Sequence, residues 1–360
     1  MAYTTIDNPE DFFKCVQWTG NDTEPRNIDV GFQTDLNFMK DCSIGYHYRV
    51  FDSVRTSAGI GKALYLNVDA LEDHYNDHPE IDYGTPHSNG FKIVDNQTSG
   101  GTTGSVGVNK NNSLMTSWNW KCNGGTASTN TDGDINSTVQ VNQDAGLSIV
   151  AYSPSNTTAR TIGHGLGTTP DFIAIRNRTR TETWRTSWGI KGWGGMAWNE
   201  EYPYNTTSPS SLVRTANNST FTVGTDYSVN GNFNYIAYCW KAIQGYSKFG
   251  DYYGNGQTSS GTFVHTGFKP AMIIIKSIET GVSNMLFDNV RDATNIVKSR
   301  LKTNTTDVPA TNIDILDFRS NGFQLRVNDS SFNTAGHQYM YFAFAESPFV
   351  SSNGVPTTAR

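Results

Sequence analysis

Apolar positions in this chain come in short bursts rather than long stripes. The clearest are Leu36-Asn37-Phe38-Met39-Lys40, Phe172-Ile173-Ala174-Ile175-Arg176 and Met272-Ile273-Ile274-Ile275-Lys276. Each follows a turn: Gly31-Phe32-Gln33-Thr34-Asp35, Gly165-Leu166-Gly167-Thr168-Thr169-Pro170-Asp171 and Gly267-Phe268-Lys269-Pro270. Glycine supplies an unusual φ there, and proline is kept out of a central ladder. Short runs of this kind, apolar on both faces and bounded by turn residues, predict central strands of a sandwich. A second set of bursts alternates large and small residues: Met115-Thr116-Ser117-Trp118-Asn119-Trp120-Lys121, Tyr235-Ile236-Ala237-Tyr238-Cys239-Trp240-Lys241 and Tyr339-Met340-Tyr341-Phe342-Ala343-Phe344. That pattern predicts strands with one face packed and the other meeting something else. No stretch sustains a 3.6-residue apolar period, so long helices are not expected.

The bursts recur three times in one order, the signature of an internal repeat. The copies open near Trp18-Thr19-Gly20-Asn21, Ile149-Val150-Ala151-Tyr152 and Tyr253-Gly254-Asn255-Gly256. Copies one and three share Phe51-Asp52-Ser53-Val54-Arg55 with Phe287-Asp288-Asn289-Val290-Arg291, and Ser88-Asn89-Gly90-Phe91 with Ser320-Asn321-Gly322-Phe323. The second copy keeps Phe221-Thr222-Val223 but lacks the Phe-Asp-x-Val-Arg element. The expected fold is all-β: three tandem, diverged β-sandwich modules, jelly-roll-like, at 14–122, 144–243 and 244–346. Residues 1–13 read as an N-terminal arm, 123–143 as a linker and 347–360 as a C-terminal tail. Such polar segments bury little alone, so partners are expected to order them.

Composition narrows the function. A net charge of −6 with no Lys/Arg cluster excludes the basic surface that nucleic acid requires. No apolar run approaches the roughly 20 residues of a spanning helix. The start, Met1 to Cys15, has neither the basic nor the apolar region of a secretory signal, and folding in a reducing cytosol is expected. Cys15, Cys42, Cys122 and Cys239 lack zinc-ligand spacing and are expected as free buried thiols in strands, although four cysteines allow three pairings.

Other segments carry a resemblance. They are Met1-Ala2-Tyr3-Thr4-Thr5-Ile6-Asp7, Asn130 through Val139, Gly163-His164-Gly165-Leu166-Gly167, Gly245-Tyr246-Ser247-Lys248-Phe249-Gly250, and Ala343 through Val350. With these, the chain resembles the repeat-containing virion structural proteins, often tail-fibre-like, of tailed phages that infect marine bacteria and cyanobacteria. The resemblance covers the whole chain. It implies a particle component without catalysis and supplies no catalytic residues or cofactors. Two departures stand out: the missing element in copy two, and an acidic, His-bearing insertion from Asp69 to His87.

Asp52 with Arg55, and Asp288 with Arg291, read as structural ion pairs at turns. His74 and His78 would share a face of one helical turn, but Pro79 ends any helix there, which leaves them weak metal candidates. Asp132 and Asp134 faintly resemble a calcium loop without its bidentate glutamate. Trp184, Trp188, Trp193, Trp198, Tyr202 and Tyr204 lie among glycines and suit either glycan or receptor contact, or packing in a core or interface. Zinc-protease, P-loop and nucleophile-elbow signatures are missing from the sequence.

The expected function is therefore a non-enzymatic virion protein, a tail fibre or host-adhesion subunit. The alternatives are a capsid decoration (cement) protein and, behind it, a polysaccharide-degrading tail enzyme. Expected partners are further copies of the chain, with a trimer favoured, other virion proteins, and a host surface glycan or receptor. Neither nucleic acid nor membrane insertion is expected. The expected location is the virion surface, on tail or capsid, after synthesis in the host bacterial cytoplasm.

Overall fold

The computed structural model describes residues 3–57, 59–72, 79–83, 87–95, 107–156, 158–204 and 212–356. Among these residues the fold is all-β, with two single-turn 3-10 helices at Pro9–Asp11 and Gly189–Lys191. Each module is a pair of antiparallel sheets. In the first, the inner sheet runs in the order Phe13–Thr19, Leu114–Trp120, Leu36–Asp41, Arg49–Asp52, Leu64–Tyr65. In the third, it runs Ser247–Tyr253, Gln338–Pro348, Phe268–Ser277, Met285–Asp288, Leu301–Lys302. The second repeats that order with Leu147–Tyr152, Tyr235–Trp240, Phe172–Asn177, Arg185–Trp188 and Met196–Ala197. In every module the last inner strand inserts between the first strand and the apolar run. Outer sheets of five, three and three strands cover one face of each inner sheet, built around Gly90–Asp95, Thr220–Val223 and Gly322–Leu325.

The second inner sheet has seven strands because residues 123–143 are not a linker. Ser137–Asn142 pairs with Leu147–Tyr152, and Ser128–Asn130 pairs outside it. Val139 is buried in the module's own core, while Thr138 is exposed at the sheet rim. On the same face as Thr138, Gln140 is buried and donates Nε2 to the Asp35 carboxylate of the first module at 3.0 Å, so polar residues of this strand join the ladder with their hydrogen bonds met.

The apolar runs are apolar on both faces because both faces are covered. Ile273 and Ile275 pack inside the third sandwich, whereas Met272 and Ile274 point the other way into a core shared by all three modules. The same split sends Ile173 and Ile175 inward and Phe172 and Ala174 to the shared core. Trp118 and Trp120 join that core, as do Tyr238 and Trp240, and Phe342 and Phe344. The three inner sheets thus meet back to back. Ring centroids lie 6.1 Å apart for Trp120–Trp240, 5.5 Å for Trp120–Phe344 and 5.1 Å for Trp240–Phe342. Burying one such ring stabilises the fold by on the order of 1.5–3 kcal/mol, so the modules are not independent beads.

The expected arms also pack within the chain. Tyr3 donates its hydroxyl to the Gly267 carbonyl at 2.8 Å, and Thr4 Oγ1 donates to Gln244 O at 2.7 Å. Ile6 is buried in the shared core. The C-terminal segment returns to the same place: Tyr3 meets Phe349 edge-on at 6.3 Å, and the Asp7 carboxylate accepts from the Ser352 main-chain N–H. Apolar anchors at Ile6 and Phe349 order these segments against the third module and each other. All four cysteines are free; Cys15, Cys122 and Cys239 are buried and Cys42 is partly so.

Candidate functional site

The residues that recur between copies converge on the seams between modules. The Asp52 carboxylate accepts from the main-chain N–H groups of Val54 and Arg55 through Oδ1, and from Arg55 Nε at 2.5 Å through Oδ2. Asp288 does the same with Val290, Arg291 and, at 2.7 Å, Arg291 Nε. Both guanidinium groups also donate to paired carbonyls, Lys62 and Val50 for Arg55, Ser299 and Leu286 for Arg291. The motif is a four-residue turn closed by its own ion pair, with almost no exposure of either side chain.

Among the described residues each carboxylate has one further donor, and it comes from another module. Tyr238 of the second module donates its hydroxyl to Asp52 Oδ2 at 2.6 Å. Trp118 of the first donates Nε1–H to Asp288 Oδ2 at 3.1 Å. Strand register makes these equivalent: Trp118, Tyr238 and Phe342 sit opposite Phe38, Ala174 and Ile274. Asp52 and Asp288 sit opposite Leu36 and Met272, and the residue opposite Phe172 is Trp188. The segment Ser187-Trp188-Gly189-Ile190-Lys191 therefore stands where the missing element belongs. Its tryptophan faces the seam to the third module, where Phe342 offers no donor and lines the same small space. An aspartate there would be a buried charge without a cross-module donor, and an apolar pair replaces the polar one.

A third position closes the ring completely. Lys40, Arg176 and Lys276 end the three apolar runs, and each reaches a main-chain carbonyl of the neighbouring module. Lys40 Nζ donates to Thr306 O at 3.0 Å, Arg176 donates to Ala70 O, and Lys276 Nζ donates to Glu200 O at 2.8 Å. The direction is cyclic: first to third, second to first, third to second. Burial pushes the Lys40 and Lys276 ammonium groups down to about 8 and the Arg176 guanidinium to about 10. The receiving loops are set by Asn67, Asn199 and Asn304, whose side-chain oxygens accept from the main-chain N–H of Tyr48, Trp184 and Asn284. This asparagine was readable as Leu-Tyr-Leu-Asn, Met-Ala-Trp-Asn and Leu-Lys-Thr-Asn, and sequence reasoning passed over it.

The Trp-rich segment is not an exposed platform. Trp184, Trp188 and Trp198 are buried in the shared core. Trp184 Nε1 donates to Tyr65 O of the first module at 2.7 Å, and Trp198 Nε1 donates to Thr303 Oγ1 of the third at 3.0 Å. These rings fill the gaps that the second module presents to both neighbours. Trp193 packs partly buried against the second module's own core, and Tyr204 against the shared one. Tyr202 alone of the six is well exposed, at 66%.

The acidic insertion begins as a latch. Glu72 bridges Arg55 at 2.5 Å and Arg178 of the second module at 2.9 Å. His74 and His78 lie outside the described residues. The Asp132 carboxylate accepts from Asn130 Nδ2 within a turn, and Asp134 exchanges hydrogen bonds with Thr161 on the strand Arg160–Gly163. Among the described residues, no group of three or more His, Cys, Asp or Glu is placed to hold a metal, and no helix is long and apolar enough to cross a membrane.

No curated protein and no solved structure matches the chain. A family model described as a domain of unknown function (DUF7483) matches residues 8–348, from just before the first strand to the end of the last, and the chain belongs to that family.

Proposed function

We propose that the chain is a non-enzymatic structural protein of a tailed-phage virion, a tail fibre or host-adhesion subunit. The observation that carries this reading is where the buried charges go. Asp52, Arg55, Asp288, Arg291, Lys40, Arg176 and Lys276 all fasten one module to another or brace the turn that does so. Groups enclosed by ion pairs and main-chain carbonyls at module seams support a structural role. A three-module body closed on an aromatic core suits a rigid block of a particle. The resemblance of its termini and turns to virion proteins supplies the setting. Association with further copies, a trimer first, uses surfaces outside this core, since the inner sheets already cover one another.

Capsid decoration is the second reading. Locating the chain in intact particles by gold-labelled antibody tests the proposal. Label on tail fibres supports adhesion, label over the shell supports decoration, and absence from purified particles overturns both. New reducing ends released from host envelope polysaccharide by the pure protein would overturn the non-enzymatic reading.

A further inference from the structure

The seam between the second and third modules opens at the surface. Where the second and third modules meet, an open groove of about 720 Å³ is lined by Asn199, Glu200, Glu201 and Tyr202 on one side and Gly281, Asn304 and Thr305 on the other. Its size falls within the range of small-ligand sites. The seam holds it in shape. Lys276 fixes the Glu200 carbonyl, Ser283 donates its hydroxyl to Glu201 Oε1 at 2.5 Å, and Asn199 and Asn304 are pinned by their bonds to Trp184 and Asn284. At Gly281 the two loops come so close that a Cβ would stand 2.9 Å from Glu201 O.

The geometry points to this groove as a binding site for a neutral glycan, an inference that rests on the adhesion reading and gives it a ligand class. Tyr202 presents an exposed ring at the mouth, the kind of flat, amphipathic surface on which the C–H face of a hexose stacks. Beside it lie two carboxylates that accept from sugar hydroxyls, a threonine hydroxyl and two asparagine side chains. Burial raises the Glu200 carboxyl from its ordinary value, and Arg185 and Lys276 lie near enough to oppose that shift. Two carboxylates side by side disfavour a ligand that brings further carboxylates or phosphates against them. Because both walls come from different modules, the site exists only in the closed ring.

The full-length chain is tested by saturation-transfer NMR and titration against maltotriose, cellotriose and chitotriose, with trigalacturonate as the anionic probe. At least one neutral trisaccharide binds, and trigalacturonate binds at least about tenfold more weakly, a difference of about 1.4 kcal/mol. Tyr202→Ala weakens the neutral ligand by about tenfold or more with an unchanged melting curve. Glu200→Gln reduces the discrimination against trigalacturonate. The inference is overturned if no neutral trisaccharide binds at millimolar concentration, or if Tyr202→Ala binds as the parent does. Host-cell binding that survives Tyr202→Ala would remove the groove and keep adhesion. Sugar binding by a chain missing from the virion would do the reverse.

Discussion

The indole N–H of Trp118 reaches the Asp288 carboxylate 170 residues away, at 3.1 Å, across the seam between the first and third modules. Tyr238 makes the matching contact to Asp52 between the second and first, at 2.6 Å. One rule thus operates at two seams of a ring, and its polar partners are absent together from the third.

Removing the donor while keeping the ring isolates this contact. Tyr238→Phe is expected to lower stability by about 1–3 kcal/mol, because Asp52 stays buried with one donor fewer. Phe342 already lacks that hydroxyl, and Phe342→Tyr is expected to bring no stabilisation, since Trp188 offers no acceptor side chain. Urea unfolding of both variants measures the difference.

Breaking the ion pair outright costs more. Asp288→Ala strands the Arg291 guanidinium in a site where its side chain is 3% exposed, and the expected loss is about 3–5 kcal/mol. Replacing the pair jointly, with Asp288→Leu and Arg291→Met, is expected to recover much of that loss. A double-mutant cycle in urea would show recovery; additive losses would show that the charge itself is required.

The seam lysines make stability depend on pH. Between about 8, the folded value for Lys276, and 10.5, its ordinary value, the unfolded chain binds a proton that the folded chain does not. Stability from this group therefore rises with pH across that window, and below it the folded state carries the cost of a buried ammonium. Cysteine and tyrosine thiols and hydroxyls, raised by burial, act in the opposite sense at alkaline pH, so the comparison must be with a variant. Relative to Lys276→Met, the parent is expected to gain stability between pH 8 and 10. A constant difference across those pH values would contradict the assignment.

What could be read from the sequence was local. The Asp–Arg turns close within four residues, and the apolar runs announce strands by composition, so both were legible. The destination of Trp184 and Trp198 was not, because their partners Tyr65 and Thr303 lie more than 100 residues away. An aromatic on a Gly-rich segment looks the same whether it meets sugar or a neighbouring sheet. Residues 123–143 read as a linker because an edge strand such as Ser128–Asn130 carries exposed polar side chains. The lysine and arginine ending each run were visible as repeats, but nothing along the chain said that each reaches the next module.

The central claim is that three sandwiches form one body through a shared aromatic core. Trp120, at its centre, contacts Phe13, Phe38, Trp240, Phe342 and Phe344. Calorimetry of the full-length chain beside Trp120→Ala tests this most directly. The account predicts one transition whose van't Hoff and calorimetric enthalpies agree, shifted as a whole in the variant by a loss of about 3–5 kcal/mol. Separate transitions, with only the first module's lowered by the substitution, would contradict it.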